Sequence, residues 1–224
     1  MKKKKLKVIL HMPHVSLKVP KMFYKGLLIS KENFNIYNLK TSDVLIDTLF
    51  KDLKGIKIKP KYSRMFCDVE RFKDDNKEIM SKCGQGMIYT HTYDGVLFHQ
   101  HNDKYIKKVI RYYDKYHHKL DKISKRIIKK GYSLLILDLH SYSDNQAKYI
   151  NNNGQYPDIC IGINDGYYDK EILDQIINII KKKNLTYKIN YPYSGSIIPN
   201  YIYNHNINNN VTSIMIEVNK RVYL

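Results

Sequence analysis

At 224 residues and 43% hydrophobic content, the chain is long enough for one sizeable domain with its own core. With 27% charged and 12% aromatic residues, it is neither a disordered tail, a collagen-like repeat nor a coiled coil. The formal charge of +18 attracts anionic partners in general, but the lysines are spread along the chain and no nucleic-acid-binding motif accompanies them, so no specific nucleic-acid partner is expected. Lys2–Lys5 reads as a solvated terminus. With Leu6–Leu10 it mimics the start of a signal peptide, but the apolar stretch is too short and His11 and His14 break it.

Lys7–His11 is predicted as a short buried strand ending near Pro13-His14. Ser42 is predicted to cap a helix whose apolar stripe is Leu45, Ile46, Leu49, Phe50 and Leu53. Gly55–Lys59 and Tyr62–Val69 read as strands. A long helix should start near Asn102, run on Ile106, Val109, Ile110, Tyr113, Leu120, Ile123 and Ile127, and stop at Gly131. Ser133–Leu139 is a continuous apolar run, the pattern of a central strand covered on both faces. Asn151–Asn153 and Asn204–Asn210 read as loops. Lys170–Lys182 is a second amphipathic helix, and Thr212–Val218 a last buried strand. This alternation argues for a layered α/β domain. No apolar run approaches the ~20 residues of a membrane span. Cys67, Cys83 and Cys160 are odd in number and widely spaced, so neither a disulfide framework nor a metal knuckle is expected, and a reducing, cytoplasmic setting is the default.

Three places put polar residues at the ends of apolar strands, the edge where open α/β sheets bind ligands. They are His14, the run Asp138-Leu139-His140-Ser141, and Glu217. Two histidines with carboxylates are the inventory of a catalytic zinc site, which takes three N/O ligands and keeps one position for water. A carboxylate off the metal can then take a proton. Each residue has a plainer reading. His140 could be a hydrogen-bonded core histidine. Asp138, on the same strand face, could orient a ligand or pair with a lysine. Glu217 could form a buried salt bridge to Arg221. Asp43 would sit in a helix first turn, where the dipole alone favours it, and Asp47, one turn on, is a rival ligand. Arg64 and Arg71 could clamp a substrate carboxylate bidentately or pair with Asp68, Glu70 or Asp74. His11, His91, His99, His101, His118 and His205 show no ligand spacing.

Taken together, nine segments resemble the N-formylglutamate amidohydrolase family in order. They are Val8–Pro20, Ser42–Phe50, Tyr62–Arg71 (YSRMFCDVER), Gly86–Leu97, Tyr112–Leu120, Ile136–Ser143 (ILDLHSYS), Pro157–Gly166, Asn190–Ser196 and Ser213–Tyr223. The resemblance implies a single three-layer α/β/α catalytic domain over residues 1–224, with a mixed twisted sheet of the zinc carboxypeptidase-like (phosphorylase/hydrolase-like) type. It implies one zinc ion held by His14, Asp43 and His140, with Glu217 as general acid/base. It assigns Arg64 and Arg71 to the substrate carboxylate, and Asp138 and His117 to support of the ligands. Leu17 stands where a carboxypeptidase His-x-x-Glu loop carries its second ligand, so Asp43 is the expected third, and Glu70 replaces the usual asparagine before Arg71. The implied reaction is hydrolysis of the linear amide of an N-acyl amino acid such as N-formylglutamate, a small carboxylate-bearing substrate. A zinc carboxypeptidase or cell-wall peptide amidase, and a basic binding protein without catalysis, are the other readings.

Overall fold

A computed structural model of the chain describes residues 5–150 and 154–224. Lys2–Lys4 of the basic run and the Asn151–Asn153 loop lie outside the described residues. The rest divides into two compact units.

The first unit is drawn from Met1–Met12, Phe50–Ile58 and Leu120–Leu224. It contains a six-stranded sheet of β1 (Leu6–His11), β2 (Ile56–Ile58), β3 (Ser133–Tyr142), β4 (Ile159–Ile163), β5 (Tyr187–Ile189) and β6 (Val211–Asn219) in the order β2-β1-β3-β6-β4-β5. The pairs β1–β2, β1–β3, β3–β6 and β4–β5 are parallel, and β4 runs antiparallel to β6, so the sheet is mixed. The apolar run expected at the centre is there. β3 lies between β1 and β6, and all nine residues of β6 are buried. Strands covered on both faces cannot alternate polar and apolar residues, which is why both read as continuous hydrophobic runs. The edges are two three-residue strands, too short to offer a long template for another chain. In β4, Gly162 leaves room for the carbonyl of Gly195, which a Cβ at this position would strike.

Helix periodicity also holds where it is strong. After the short α4 (Asp144–Ile150), the helix α5 (Lys170–Lys182) is capped by Asp169, whose side chain accepts from the Ile172 amide at 3.0 Å, and buries Leu173 and Ile180. The helix α3 (Asp103–Lys129) begins where Asn102 Oδ1 accepts from the Tyr105 amide at 2.9 Å. It ends in a Schellman turn: Gly131, at φ +76°, donates to Ile128, and Tyr132 to Ile127. Among the described residues no helix is long and apolar enough to cross a membrane. The three cysteines are free.

The second unit, Pro13–Leu49 with Lys59–Lys119, departs from expectation twice. Ser42 does not start a helix; it closes α1 (Lys31–Thr41), its amide donating to the Asn38 carbonyl at 3.2 Å. The next helix, α2, is only Ile46–Leu49, because Leu45 at φ +70° interrupts the backbone ahead of it. Asp43 therefore lies in a joint, not in a helix first turn, and Leu45, Leu49 and Leu53 are exposed. α1 itself escapes a periodicity reading because Ile36 and Leu39 face solvent while Asn38 and Thr41 are buried. Tyr62–Val69 is not a strand either. The Ser63 carbonyl accepts from Phe66 and Cys67, and its hydroxyl from Met65, so the segment folds into tight turns although Met65–Val69 are all buried.

Asp158 ties three segments of the first unit. Its Oδ2 accepts from the Thr186 amide and hydroxyl at 2.9 and 2.7 Å, and its Oδ1 from Arg221 Nε and Nη2 at 3.2 and 3.0 Å. Burial opposes ionisation, but the Thr186 and Arg221 donors outweigh it and lower the carboxyl's pKa. A depressed carboxyl contributes stability above its unfolded pKa and loses it as pH falls through the folded value. Asp158→Asn should cost about 1 kcal/mol near neutral pH, and the gap from the parent should close as pH drops below about 4. Urea denaturation across that pH range measures it.

Candidate active site

In the second unit the site begins just past β1. Pro13 and His14 turn the chain, and the His14 carbonyl accepts the Asp43 amide at 2.9 Å, fixing the joint between α1 and α2 against it. This brings two buried side chains together: His14 Nδ1 lies 3.4 Å from Asp43 Oδ2. The other ring nitrogen, His14 Nε2, meets Asp68 Oδ1 at 2.9 Å and Glu70 Oε2 at 3.6 Å.

Asp68 is the centre of this group. It is fully buried, and its Oδ2 accepts from Arg64 Nε and Nη2 at 3.0 and 2.8 Å and from the Tyr89 hydroxyl at 2.9 Å. Arg71 Nε stands 3.8 Å from the same oxygen. The Glu70 amide donates to Oδ1 at 3.1 Å. Burial would push the Asp68 carboxyl up, yet Arg64, His14 and Arg71 together hold it well below the usual carboxylate range. For His14, burial and the Arg64 charge oppose protonation, but Asp68 and Asp43 outweigh them and raise its pKa. Arg64 and Arg71 are thus paired with an acid, as the plainer reading allowed, though both are half-buried and not surface groups.

Other residues of this unit are placed elsewhere. Asp47 holds Lys59 Nζ at 2.8 Å, largely exposed. His117, on α3, hydrogen-bonds through Nε2 to the Val69 carbonyl at 2.8 Å and packs on Tyr113 at 4.3 Å. It braces the backbone beside Asp68.

In the first unit the C-terminal end of β3 carries Asp138 and His140 on one face, as alternation requires. His140 Nε2 meets Asp138 Oδ1 at 3.0 Å. The same oxygen meets His11 Nδ1 at 2.6 Å, and Oδ2 accepts the Ile197 amide at 3.1 Å. Burial raises the Asp138 carboxyl, but His140 and His11 overcome it and hold it far below its ordinary value. Glu217 is buried on β6 directly opposite His140 in the parallel register. Its strand face continues through Met215, and the apolar group around Met215, Cys160 and Tyr142 floors it. Arg221, the partner the sequence offered for Glu217, is engaged by Asp144, Asp158 and the Tyr156 carbonyl.

Sequence reasoning missed His11, Asp68 and Tyr89. His11 pairs with Asp138 through the β1–β3 register, a contact across 127 positions that no local pattern encodes. Asp68 was visible only as an acid near two arginines.

The family model described as N-formylglutamate amidohydrolase matches residues 6–224. The chain is similar to the crystal structure of N-formylglutamate amidohydrolase from Ralstonia eutropha JMP134, with a TM-score of 0.79 and 18% identity over 100% of this chain and 85% of that one. It is also similar to the crystal structure of gene product Atu2144 from Agrobacterium tumefaciens, with a TM-score of 0.65 and 14% identity over 98% of this chain and 82% of that one. At these identities the two structures speak for the α/β fold alone. No curated protein matches the chain. The match of the family model along almost the whole sequence places this chain in the N-formylglutamate amidohydrolase family of hydrolases.

Proposed function

We propose that residues 1–224 act as one catalytic domain that hydrolyses the amide bond of an N-acyl amino acid, with N-formylglutamate as the reference substrate, and that it does so with one bound zinc ion. The observation that carries this reading is the buried His14–Asp43 pair in a chain of this family. Imidazole nitrogen and carboxylate oxygen are donor types that zinc takes. His14, Asp43 and His140 are the proposed ligands, a set of donors that could hold a metal ion. Asp68 and Asp138 support this by binding the Nε2 atoms of His14 and His140 and so orienting the two rings. When bound, zinc supplies a Lewis acid that eases deprotonation of water near neutral pH.

The chain's own groups would do the rest. Glu217 takes the proton from water as its oxygen adds to the acyl carbon, and returns it to the amine nitrogen as the C–N bond breaks. The products are the free carboxylic acid and the amino acid. The buried position of Glu217, above an apolar floor, supports a role in which its proton is exchanged with substrate instead of bulk water. Arg64 and Arg71 supply cationic donors for a substrate carboxylate. We place this chemistry in the cytoplasm, since the free cysteines suit a reducing compartment.

Protein purified without chelator should contain about one zinc per chain by elemental analysis. Chelation should abolish turnover and zinc should restore it. His14→Ala and His140→Ala should each lose the metal while keeping the far-ultraviolet circular dichroism of the parent; full zinc content in both would reject this ligand set. Glu217→Gln should retain zinc and lose at least about a hundredfold in kcat on N-formyl amino acids. An unchanged rate would remove Glu217 from the mechanism.

A further inference from the structure

The segments Pro157–Gly166 and Asn190–Ile197 hold no residue of the proposed chemistry, yet in the first unit they meet next to Asp138. Asp138 is buried, and the two histidines it holds, His11 and His140, bind the same oxygen, Oδ1. Among the described residues, its Oδ2 takes one hydrogen bond, from the Ile197 amide at 3.1 Å. A carboxylate out of water keeps its orientation only while donors hold both oxygens. The aim of the His140 ring therefore depends on where the Ser196–Ile197 peptide sits.

That peptide is gripped from both sides. Its carbonyl, that of Ser196, accepts from Asn164 Nδ2 at 2.7 Å, and in a trans peptide this fixes the direction of the amide that serves Asp138. Ser213, fully buried on β6, holds the next carbonyl: its hydroxyl donates to Ile197 at 2.7 Å. A carbonyl only accepts, so this bond uses the Ser213 proton, and the Ser196 hydroxyl is the donor to Ser213 Oγ at 2.8 Å. Earlier in the loop, Asn190 Oδ1 accepts the Gly195 amide at 3.2 Å and the Ile163 amide at 2.9 Å. Gly162, lacking a Cβ, lets the Gly195 carbonyl approach β4.

We propose that Asn164 and Ser213 set how tightly the site holds its metal, by fixing the Ser196–Ile197 peptide against Asp138 and, through Asp138, the His140 ring. Both are positioning residues. The inference rests on the reading of His140 as a zinc ligand and adds to it the loop that keeps the ligand aimed.

The test is the Kd for zinc, measured on the whole chain by competition with a chromogenic chelator, with the stability of the metal-free protein followed separately by urea denaturation. Ser213→Ala and Asn164→Ala should each raise that Kd by about tenfold or more. Asn164 is only half-buried, so its variant carries the test should Ser213→Ala fold poorly. Asp158→Asn, in the same unit but outside this chain of hydrogen bonds, is the control: it should lose stability and still bind zinc within about threefold of the parent. Parent-like zinc affinity in the folded variants, or an equal loss in Asp158→Asn, overturns the inference while leaving the proposed function intact. A parent that binds no zinc, or zinc binding undiminished in His140→Ala, overturns the proposed ligand set and this inference with it.

Discussion

A carboxylate removed from water stays ionised only if donors replace the water, and Asp68 shows what that requirement does to a fold. Its two oxygens take the Glu70 amide, the His14 ring, two Arg64 nitrogens and the Tyr89 hydroxyl. Each donor comes from a different turn of irregular chain. Between Pro13 and Asp103 this unit has little regular secondary structure beyond α1, α2 and the short 3-10 helices Lys21–Lys25 and Ile79–Cys83, so polar convergence of this kind helps to fix how its segments meet. Removing one partner of a buried ionic group strands the others, which commonly costs about 3–5 kcal/mol. Each member of such a cluster therefore helps to hold the others in place. The His14 ring inherits its orientation from that assembly.

The sheet solves the same problem with fewer parts. Asp138 accepts from two histidines and one amide, and every donor is delivered by strand register or by the loop leading to α6 (Asn200–Asn204). Parallel pairing aligns His11 with Asp138 and His140 with Glu217. Register is unambiguous here because β3 and β6 are buried, and a slip by one residue would turn each polar side chain to the opposite face. Regular structure fixes these side chains by strand register, and the irregular unit fixes its own by ion pairing.

That contrast also explains what could be read from the residues alone. β1, β3, β6, α3 and α5 announce themselves through apolar runs or a clean helical stripe, and Asp138 beside His140 follows from alternation. Asp43 was expected on a helix because Leu45, Ile46 and Leu49 have helical spacing. The left-handed backbone at Leu45 and the exposure of Leu45 and Leu49 depend on how the joint packs on the His14 carbonyl, which spacing does not record. Tyr62–Val69 is apolar enough to pass for a strand, and only the Ser63 hydrogen bonds make it a chain of turns. His11 looked inert because its partner is 127 residues away. Wherever side-chain hydrogen bonds, and not periodic burial, decided the backbone, local pattern lost its meaning.

The use of arginine in this lysine-rich chain follows the same logic. Lysine presents a point charge that keeps its water, and here it forms exposed pairs such as Lys73–Asp114 and Lys170–Asp174, contacts worth little in solvent. The buried Asp68 and the more exposed Asp144 and Asp158 are met by arginine instead. Arg64 lays two nitrogens on one oxygen of Asp68, and Arg221 spans Asp144 and Asp158 while donating to the Tyr156 carbonyl. A fixed fork satisfies several acceptors at once and is more weakly hydrated, so it survives desolvation that an ammonium would resist. A surface charge of either residue type attracts anions from a distance, but only the forked side chains have the geometry to be spent inside the protein. Arg64 lays its fork on Asp68, and Arg71 adds its charge to the same carboxylate from 3.8 Å.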